Sequence, residues 1–289
     1  MKGEKEVKRL HPLPYISERL ISHVSRLTFH FLLASLLFFY RIDFIWLFRS
    51  WTEKGYDSYG YLALFAFFLY LWKNGFVIKK GSSYLLLITG LTCVISIFIR
   101  NMGINIISAL LFILSLSLLI YYYFSENIKE NPSVLFLLFL MLPWTNHINL
   151  FFGYFLRRFS TIMAAVFLRF TQVEVDLHGT MLFLNQIRLD VGAPCSGSKY
   201  LFFTIFFLVI MGLFMRQKIM LLLPVSIVFA LMCNIIRIVS IAHLRIFLQG
   251  EESIIFHNII GIFYFCLTLT GVYFLCKKTS SLKLPFLFF

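Results

Sequence analysis

The strongest constraint in this sequence is a succession of long apolar runs separated by short polar breaks. The runs fall at 29–48, 59–72, 84–99, 104–124, 133–152, 199–215, 219–240 and 257–276. A helix that crosses a bilayer needs ~20 mostly apolar residues, because it rises ~1.5 Å per residue through a hydrocarbon layer ~30 Å thick. The shorter runs reach that length only with their flanks. Composition points the same way: 60% of the 289 residues are hydrophobic and 13% are charged, against ~45–50% and ~25% in soluble domains. The expected fold is therefore an all-α polytopic membrane protein, which excludes most soluble enzyme folds. The runs predict eight spans, with seven and nine as alternatives. The 36 Phe and 14 Tyr read as lipid-facing and packing material rather than as a binding box.

The net charge of +13 comes with no basic amphipathic helix or stacking motif for nucleic acid. In a membrane protein the placement of Lys and Arg matters more than their sum. With the N-terminus inside, the inner segments hold Lys2, Lys5, Lys8, Arg9, Arg19 and Arg26, then Lys73, Lys79, Lys80, Lys129, Arg216 and Lys218, and finally Lys277, Lys278 and Lys283. These are more than half of the 26 basic residues, so the positive-inside rule places both termini in the cytoplasm. Residues 1–28 read as a basic cytoplasmic tail, since no short apolar core with a small-residue cleavage site follows them. The five cysteines, Cys93, Cys195, Cys233, Cys266 and Cys276, lack Cys-x-x-Cys spacing, which argues against a disulfide framework. Four of them lie in apolar runs and read as small buried hydrophobes; Cys195 does not. No internal repeat and no separate soluble domain is evident, and no cofactor or metal is expected.

Residues 153–194 interrupt the alternation of spans and lie outside in this topology. From Arg157 to Phe170, apolar residues recur at helical spacing between Arg157, Arg158 and Arg169. The segment predicts an amphipathic helix lying on the outer face, with a short extra span as the alternative. Val173–His178 then alternates apolar and polar residues before Gly179-Thr180, and a β-rich run follows at about 181–191. Alternation around a glycine turn predicts a short β-hairpin ahead of the sixth span.

The last three spans put chemistry at one depth. The sixth runs inward from Cys195, the seventh carries Asn234 and Arg237 late in its outward course, and the eighth starts at His257. Each residue alone has a plainer reading: a snorkelling anchor for Arg237, an interhelical hydrogen bond for Asn234, an interfacial polar group for His257. Asn234 and Arg237 share a helix face at three-residue spacing. Around Cys195, Pro194 suits a first helical turn and Gly197 allows close backbone approach. A thiol at a helix N-terminus has its thiolate favoured by the unpaired amides and the helix dipole. A guanidinium can hold an oxyanion, and an imidazole can move the proton between thiol and leaving amine. Thiol, guanidinium and imidazole together suit acyl transfer. His243 is a rival imidazole, but it falls beyond Arg237 on the same helix.

The runs Ala193-Pro194-Cys195-Ser196-Gly197-Ser198-Lys199-Tyr200-Leu201, Asn234-Ile235-Ile236-Arg237 and Phe256-His257-Asn258-Ile259-Ile260-Gly261 resemble the exosortase/archaeosortase family over roughly residues 133–275. These are polytopic membrane cysteine proteases or transpeptidases of prokaryotes. The resemblance implies Cys195 as nucleophile, Arg237 as transition-state stabiliser and His257 as general acid and base, with Asn234, Ser196 and Gly197 in support. It implies exported substrate proteins ending in a short motif, a transmembrane helix and a basic tail. These would be cut at the outer face of the cytoplasmic membrane, with transfer to a glycan or lipid acceptor as an option. Where relatives carry Ile or Leu after Cys-Ser-Gly, this chain has Ser198-Lys199, a departure that bears on substrate preference. The layout expected is a cytoplasmic tail at 1–28, helices at 29–132, a catalytic core at 133–276 and a second tail at 277–289. Two other classes compete: a transporter with Arg237 and Asn234 along a polar path, disfavoured by the lack of repeats, and a thiol-dependent membrane acyltransferase. A non-catalytic relative is disfavoured by the presence of all three residues.

Overall fold

The computed structural model describes residues 13–53, 59–74, 82–124, 131–184, 187–215, 219–249 and 254–281. Helices α1 (Leu13–Phe39), α2 (Arg41–Thr52), α3 (Gly60–Asn74), α4 (Tyr84–Asn101) and α5 (Asn105–Tyr123) come first. They are followed by α6 (Ser133–Leu140) and α7 (Trp144–Phe170), strands β1 (Val175–His178), β2 (Met181–Leu184) and β3 (Ile187–Asp190), and α8 (Ser198–Met215), α9 (Ile219–Phe247) and α10 (Ile254–Ser281). The chain is thus a multi-pass membrane protein. Among the described residues five helices are long and apolar enough to cross a membrane (α4, α5, α7, α9 and α10), and six if α1 and α2 form one span bent by 72° at Tyr40. Helices α3 and α8 are shorter apolar elements.

The largest departure from expectation lies at 133–170. The run 133–152 is not one helix, and Arg157–Phe170 is not a separate amphipathic one. A break at Met141–Pro143 divides the run instead. Proline has no N–H to continue the ladder and disfavours the α conformation of the residue before it. Beyond Pro143 nothing interrupts the helix, so α7 runs unbroken to Phe170 and carries both the end of the expected fifth span and the expected amphipathic segment. Residues 13–28, within the expected tail, are helical as the start of α1. Residues 1–12 and 282–289 lie outside the described residues, as do Lys79, Lys80, Lys129, Arg216 and Lys218 of the expected inner loops.

The chain forms two compact units, one of residues Met1–Trp46 and Gly75–Lys129, the other of Leu47–Asn74 and Glu130–Phe289. In the first, α4 and α5 pack over small polar side chains, as helices without a hydrophobic driving force between them commonly do. Thr92 Oγ1 lies 2.7 Å from Ser115 Oγ, and the fully buried Tyr40 brings its hydroxyl 3.1 Å from the same serine. Buried Asp43 pairs with Arg100.

In the second unit the strands form an antiparallel sheet in the order β1-β2-β3. The hairpin expected around Gly179-Thr180 is β1 with β2, in register Val175↔Leu184 to His178↔Met181. The second β-rich run contributes two strands, β2 and β3, rather than one. Alternation places Val175, Leu182, Leu184 and Leu189 on the buried face. They join Ala164, Ala165 and Leu168 of α7 and Ile235, Ile238, Ile241 and Ala242 of α9 in one apolar cluster that includes Cys195. The sheet therefore packs against two helices and anchors the segment that ends at the thiol.

Elsewhere in this unit Trp51 Nε1 donates to the Met141 carbonyl at 2.9 Å. A Cβ at Gly60, the first residue of α3, would overlap both atoms. Gly60→Ala is expected to destabilise the protein by ~1–3 kcal/mol through this overpacking, seen as a lower thermal unfolding midpoint in detergent. Gly90→Ala is the control: nothing lies within 4 Å of a Cβ at Gly90, and a helix-interior alanine is favoured over glycine by ~0.5–1 kcal/mol, so its midpoint should hold or rise.

Candidate active site

The site begins where the sheet ends. The Val191 N–H donates to the Thr180 carbonyl at 3.0 Å and holds the exit of β3 against the hairpin. A 3₁₀ turn, Ala193–Cys195, follows with Pro194 in its opening positions, a place where a missing N–H costs nothing. Gly197 then takes a φ of +81°, which L side chains rarely adopt, and the chain enters α8. A Cβ at 197 would also lie 3.1 Å from Asn234 Nδ2. The Cys195-Ser196-Gly197 backbone is thus pressed onto the side chain of Asn234.

Asn234 is fully buried in α9. Its Nδ2 donates to the Cys195 carbonyl at 3.0 Å and lies 3.5 Å from Ser160 Oγ on α7. Its Oδ1 is buried and has no hydrogen-bond partner among the described residues. Ser196, also buried, sets its hydroxyl between Asn149 Oδ1 at 2.9 Å and Ser198 Oγ at 3.1 Å, and accepts from the Ser198 N–H at 3.3 Å. Helices α7 and α9 thus hold the turn that carries the thiol, through side chains that approach it from two sides.

One turn beyond Asn234, Arg237 is 6% exposed. Its Nη2 lies 3.3 Å from His257 Nε2 on α10. A guanidinium has donors only, so Nε2 is the acceptor in this contact. The guanidinium carbon stands 5.6 Å from the centre of the Tyr200 ring, within the range of a cation–π contact. The Tyr200 hydroxyl donates at 2.7 Å to the carbonyl of Gly261, one helical turn after His257. Tyr200, just inside α8, therefore touches the guanidinium on α9 and the backbone of the helix that bears the imidazole.

All six residues singled out in the sequence lie in this cluster: Cys195, Ser196 and Gly197 on the turn, Asn234 and Arg237 on α9, His257 on α10. His243 does not. Its Nδ1 lies 2.9 Å from its own helix's Val239 carbonyl, and its Nε2 lies 3.0 Å from Thr171 Oγ1 at the end of α7. Three residues of the cluster escaped the sequence reading. Tyr200 sat within a quoted motif, but its aromatic ring looked like packing material. Asn149 and Ser160 lay in a stretch whose helix was cut in the wrong place. None of the five cysteines is in a disulfide, and of the four expected to be buried hydrophobes Cys233 and Cys276 are buried, Cys93 is half-buried and Cys266 is exposed. Among the described residues no three or more His, Cys, Asp or Glu gather into a possible metal site.

The architecture and the cluster define a class: a multi-pass membrane protein with a thiol, a guanidinium and an imidazole contributed by three successive helices or the turn ahead of them. The chain belongs to the transmembrane exosortase family, whose model matches residues 51–274. Membership makes it, in general terms, a membrane transpeptidase or protease of sorting signals, in a family that is generally of the cysteine type. No curated protein and no solved structure matches the chain.

Gly197→Ala tests the turn. It meets both a left-handed φ and the Asn234 amide, a strain of ~1–3 kcal/mol, and is expected to lower the unfolding midpoint and to slow processing of a sorting-signal substrate. Tyr200→Phe removes one hydrogen bond, worth ~1 kcal/mol, and keeps the ring under Arg237. It should be milder than Tyr200→Leu in both measurements.

Proposed function

We propose that this protein is a cysteine transpeptidase or protease in which Cys195 is the nucleophile, Arg237 the oxyanion stabiliser and His257 the general acid and base. The observation that carries the reading is a chain of contacts. Asn234 holds the carbonyl of Cys195 at 3.0 Å, Arg237 follows one turn later on the same face, and its Nη2 reaches His257 Nε2 at 3.3 Å. Folding alone gives no reason to concentrate such groups in a buried, apolar setting, where a lone arginine costs ~2.5–3.5 kcal/mol on insertion scales.

The chemistry follows from these groups. The imidazole takes the thiol proton, and the thiolate sulfur attacks the scissile carbonyl carbon. The carbonyl oxygen becomes an oxyanion that the Arg237 guanidinium stabilises. Collapse of this intermediate breaks the C–N bond as the imidazole gives the proton to the leaving amine, and a thioester to Cys195 remains. Water or an acceptor nucleophile, deprotonated by the same imidazole, then releases the acyl group and restores the thiol. Asn234 Oδ1 is an unmet acceptor in this setting, and a substrate amide N–H is a group that would satisfy it.

The substrates in this reading are exported proteins with a C-terminal signal made of a short motif, a transmembrane helix and a basic tail. Their helix would reach the enzyme laterally through the bilayer and present the scissile bond at the outer face of a prokaryotic cytoplasmic membrane. A glycan or lipid would be the acceptor where transfer ends the reaction. The concentration of basic residues in the segments assigned to the inside supports this orientation.

The mechanism is tested with a co-expressed substrate carrying such a tail. Cys195→Ala should leave the precursor uncut, a loss of at least ~10³-fold, in the range seen when a catalytic nucleophile is removed, whereas Cys93→Ala and Cys276→Ala should process it normally. Normal processing by Cys195→Ala would overturn the assignment. For orientation, His178→Cys on the exposed hairpin should react with a membrane-impermeant maleimide on intact cells. Reaction only after permeabilisation would reverse the topology.

A further inference from the structure

The first unit holds a groove that the reaction does not use. It lies where α1 gives way to α2, is lined by Phe31, Ala34, Ser35, Phe38, Phe39, Arg41, Ile42 and Arg100, and has a volume of about 570 Å³. Seven of these residues precede the stretch matched by the family model, so the groove belongs chiefly to a part of the chain that the family does not describe. One end is cationic and the rest is apolar. Arg100 pairs with Asp43, lies near the rings of Phe39 and Tyr40, and keeps a buried Nε that has no hydrogen-bond partner among the described residues. Arg41 is exposed and stacks its guanidinium 4.8 Å from the centre of the Phe38 ring.

The charges do not cancel. Two guanidiniums face one carboxylate, and the described residues 82–124, which supply α4 and α5, contain no Asp or Glu. The one other acid of the unit's described residues, Glu18, lies near the far end of α1. A positive charge at a helix bend of a membrane protein attracts an anion from its surroundings, and at a bilayer surface the abundant anion is a lipid phosphate. Guanidinium groups suit phosphate oxygens because their parallel N–H donors bond in pairs. The remaining wall suits the other half of the same molecule. Phe31 is 71% and Phe38 70% exposed, and the two lie about 10 Å apart along the helix at its usual rise. That apolar strip can lie beside an acyl chain whose head group sits at Arg41 and Arg100.

We infer that this groove binds an anionic phospholipid, with its phosphate on Arg41 and Arg100 and an acyl chain along Phe31, Ala34 and Phe38. A free phosphate ion would use the guanidiniums but not the apolar wall. Neutral phospholipids carry a phosphate too, but their choline offsets its charge.

The test uses the full-length protein in mild detergent and counts bound lipid by native mass spectrometry, with phosphatidylglycerol and phosphatidylcholine of identical acyl chains. Phosphatidylglycerol should bind roughly fivefold better, the preference expected of one uncompensated arginine near a membrane surface. Arg41→Gln should abolish that preference, Arg41→Lys should keep most of it, and Arg49→Gln should leave it intact. Asp43 pairs with Arg100, so the Arg41 variant leaves that pair in place; an unchanged unfolding midpoint without lipid checks this. Equal binding of the two lipids by the unmodified protein, or a preference that survives Arg41→Gln, would overturn the inference. So would inorganic phosphate at millimolar concentration displacing the lipid without any dependence on chain length.

Discussion

Within a bilayer no water is at hand to satisfy a polar group, so each carbonyl and each charge must find its partner inside the protein. The turn that carries Cys195 is non-helical backbone in such a chain, and the amide of Asn234 meets this requirement by donating to the Cys195 carbonyl. Much of the site depends on that bond. It fixes the turn to α9, the close approach it demands is open only to a glycine at 197, and the same helix face then presents Arg237 one turn further on. Ser196, bonded to Asn149 on α7, anchors the turn from another helix.

Arg100 and Arg237 are held in two different ways. Arg100 meets a carboxylate, Asp43, in the first unit. Such pairing neutralises charge and serves to join α2 and α4. Arg237 meets the face of Tyr200 and a nitrogen of His257. An aromatic face and an imidazole nitrogen orient a guanidinium without the cancelling charge of a carboxylate, as the proposed oxyanion role of Arg237 requires. Tyr200 adds a second constraint by bonding to Gly261 on the helix that carries His257.

Much of this was legible beforehand, for reasons that can be traced to particular residues. Cys195, Asn234, Arg237 and His257 stood out because polar residues are scarce in a chain with 13% charge, and hairpin connectivity brings the ends of successive helices together. The hairpin around Gly179 was legible because alternation and a turn glycine are local signals. The break at Pro143 was not: hydropathy averages over a window, so a single proline inside an apolar run hardly changes the profile, although it ends the helix. Asn149 and Ser160 went unnoticed for the same cause, since their part of α7 had been divided between a span and a surface helix. Tyr200 was hidden by composition, as one aromatic ring among many.

The sequence by itself determined that the chain lives in a membrane and which side chains are costly enough there to need a purpose, because hydrophobic length and intramembrane charge are properties of the linear chain. Only the tertiary structure decided which of those side chains meet. It sets His257 beside Arg237, since the course of α10 brings its first turn there, and His243 beside Thr171. It also assigned Asn234 to the Cys195 carbonyl and Tyr200 to the space beneath Arg237. Such pairings depend on how helices far apart in sequence lie against one another, and no local pattern encodes that.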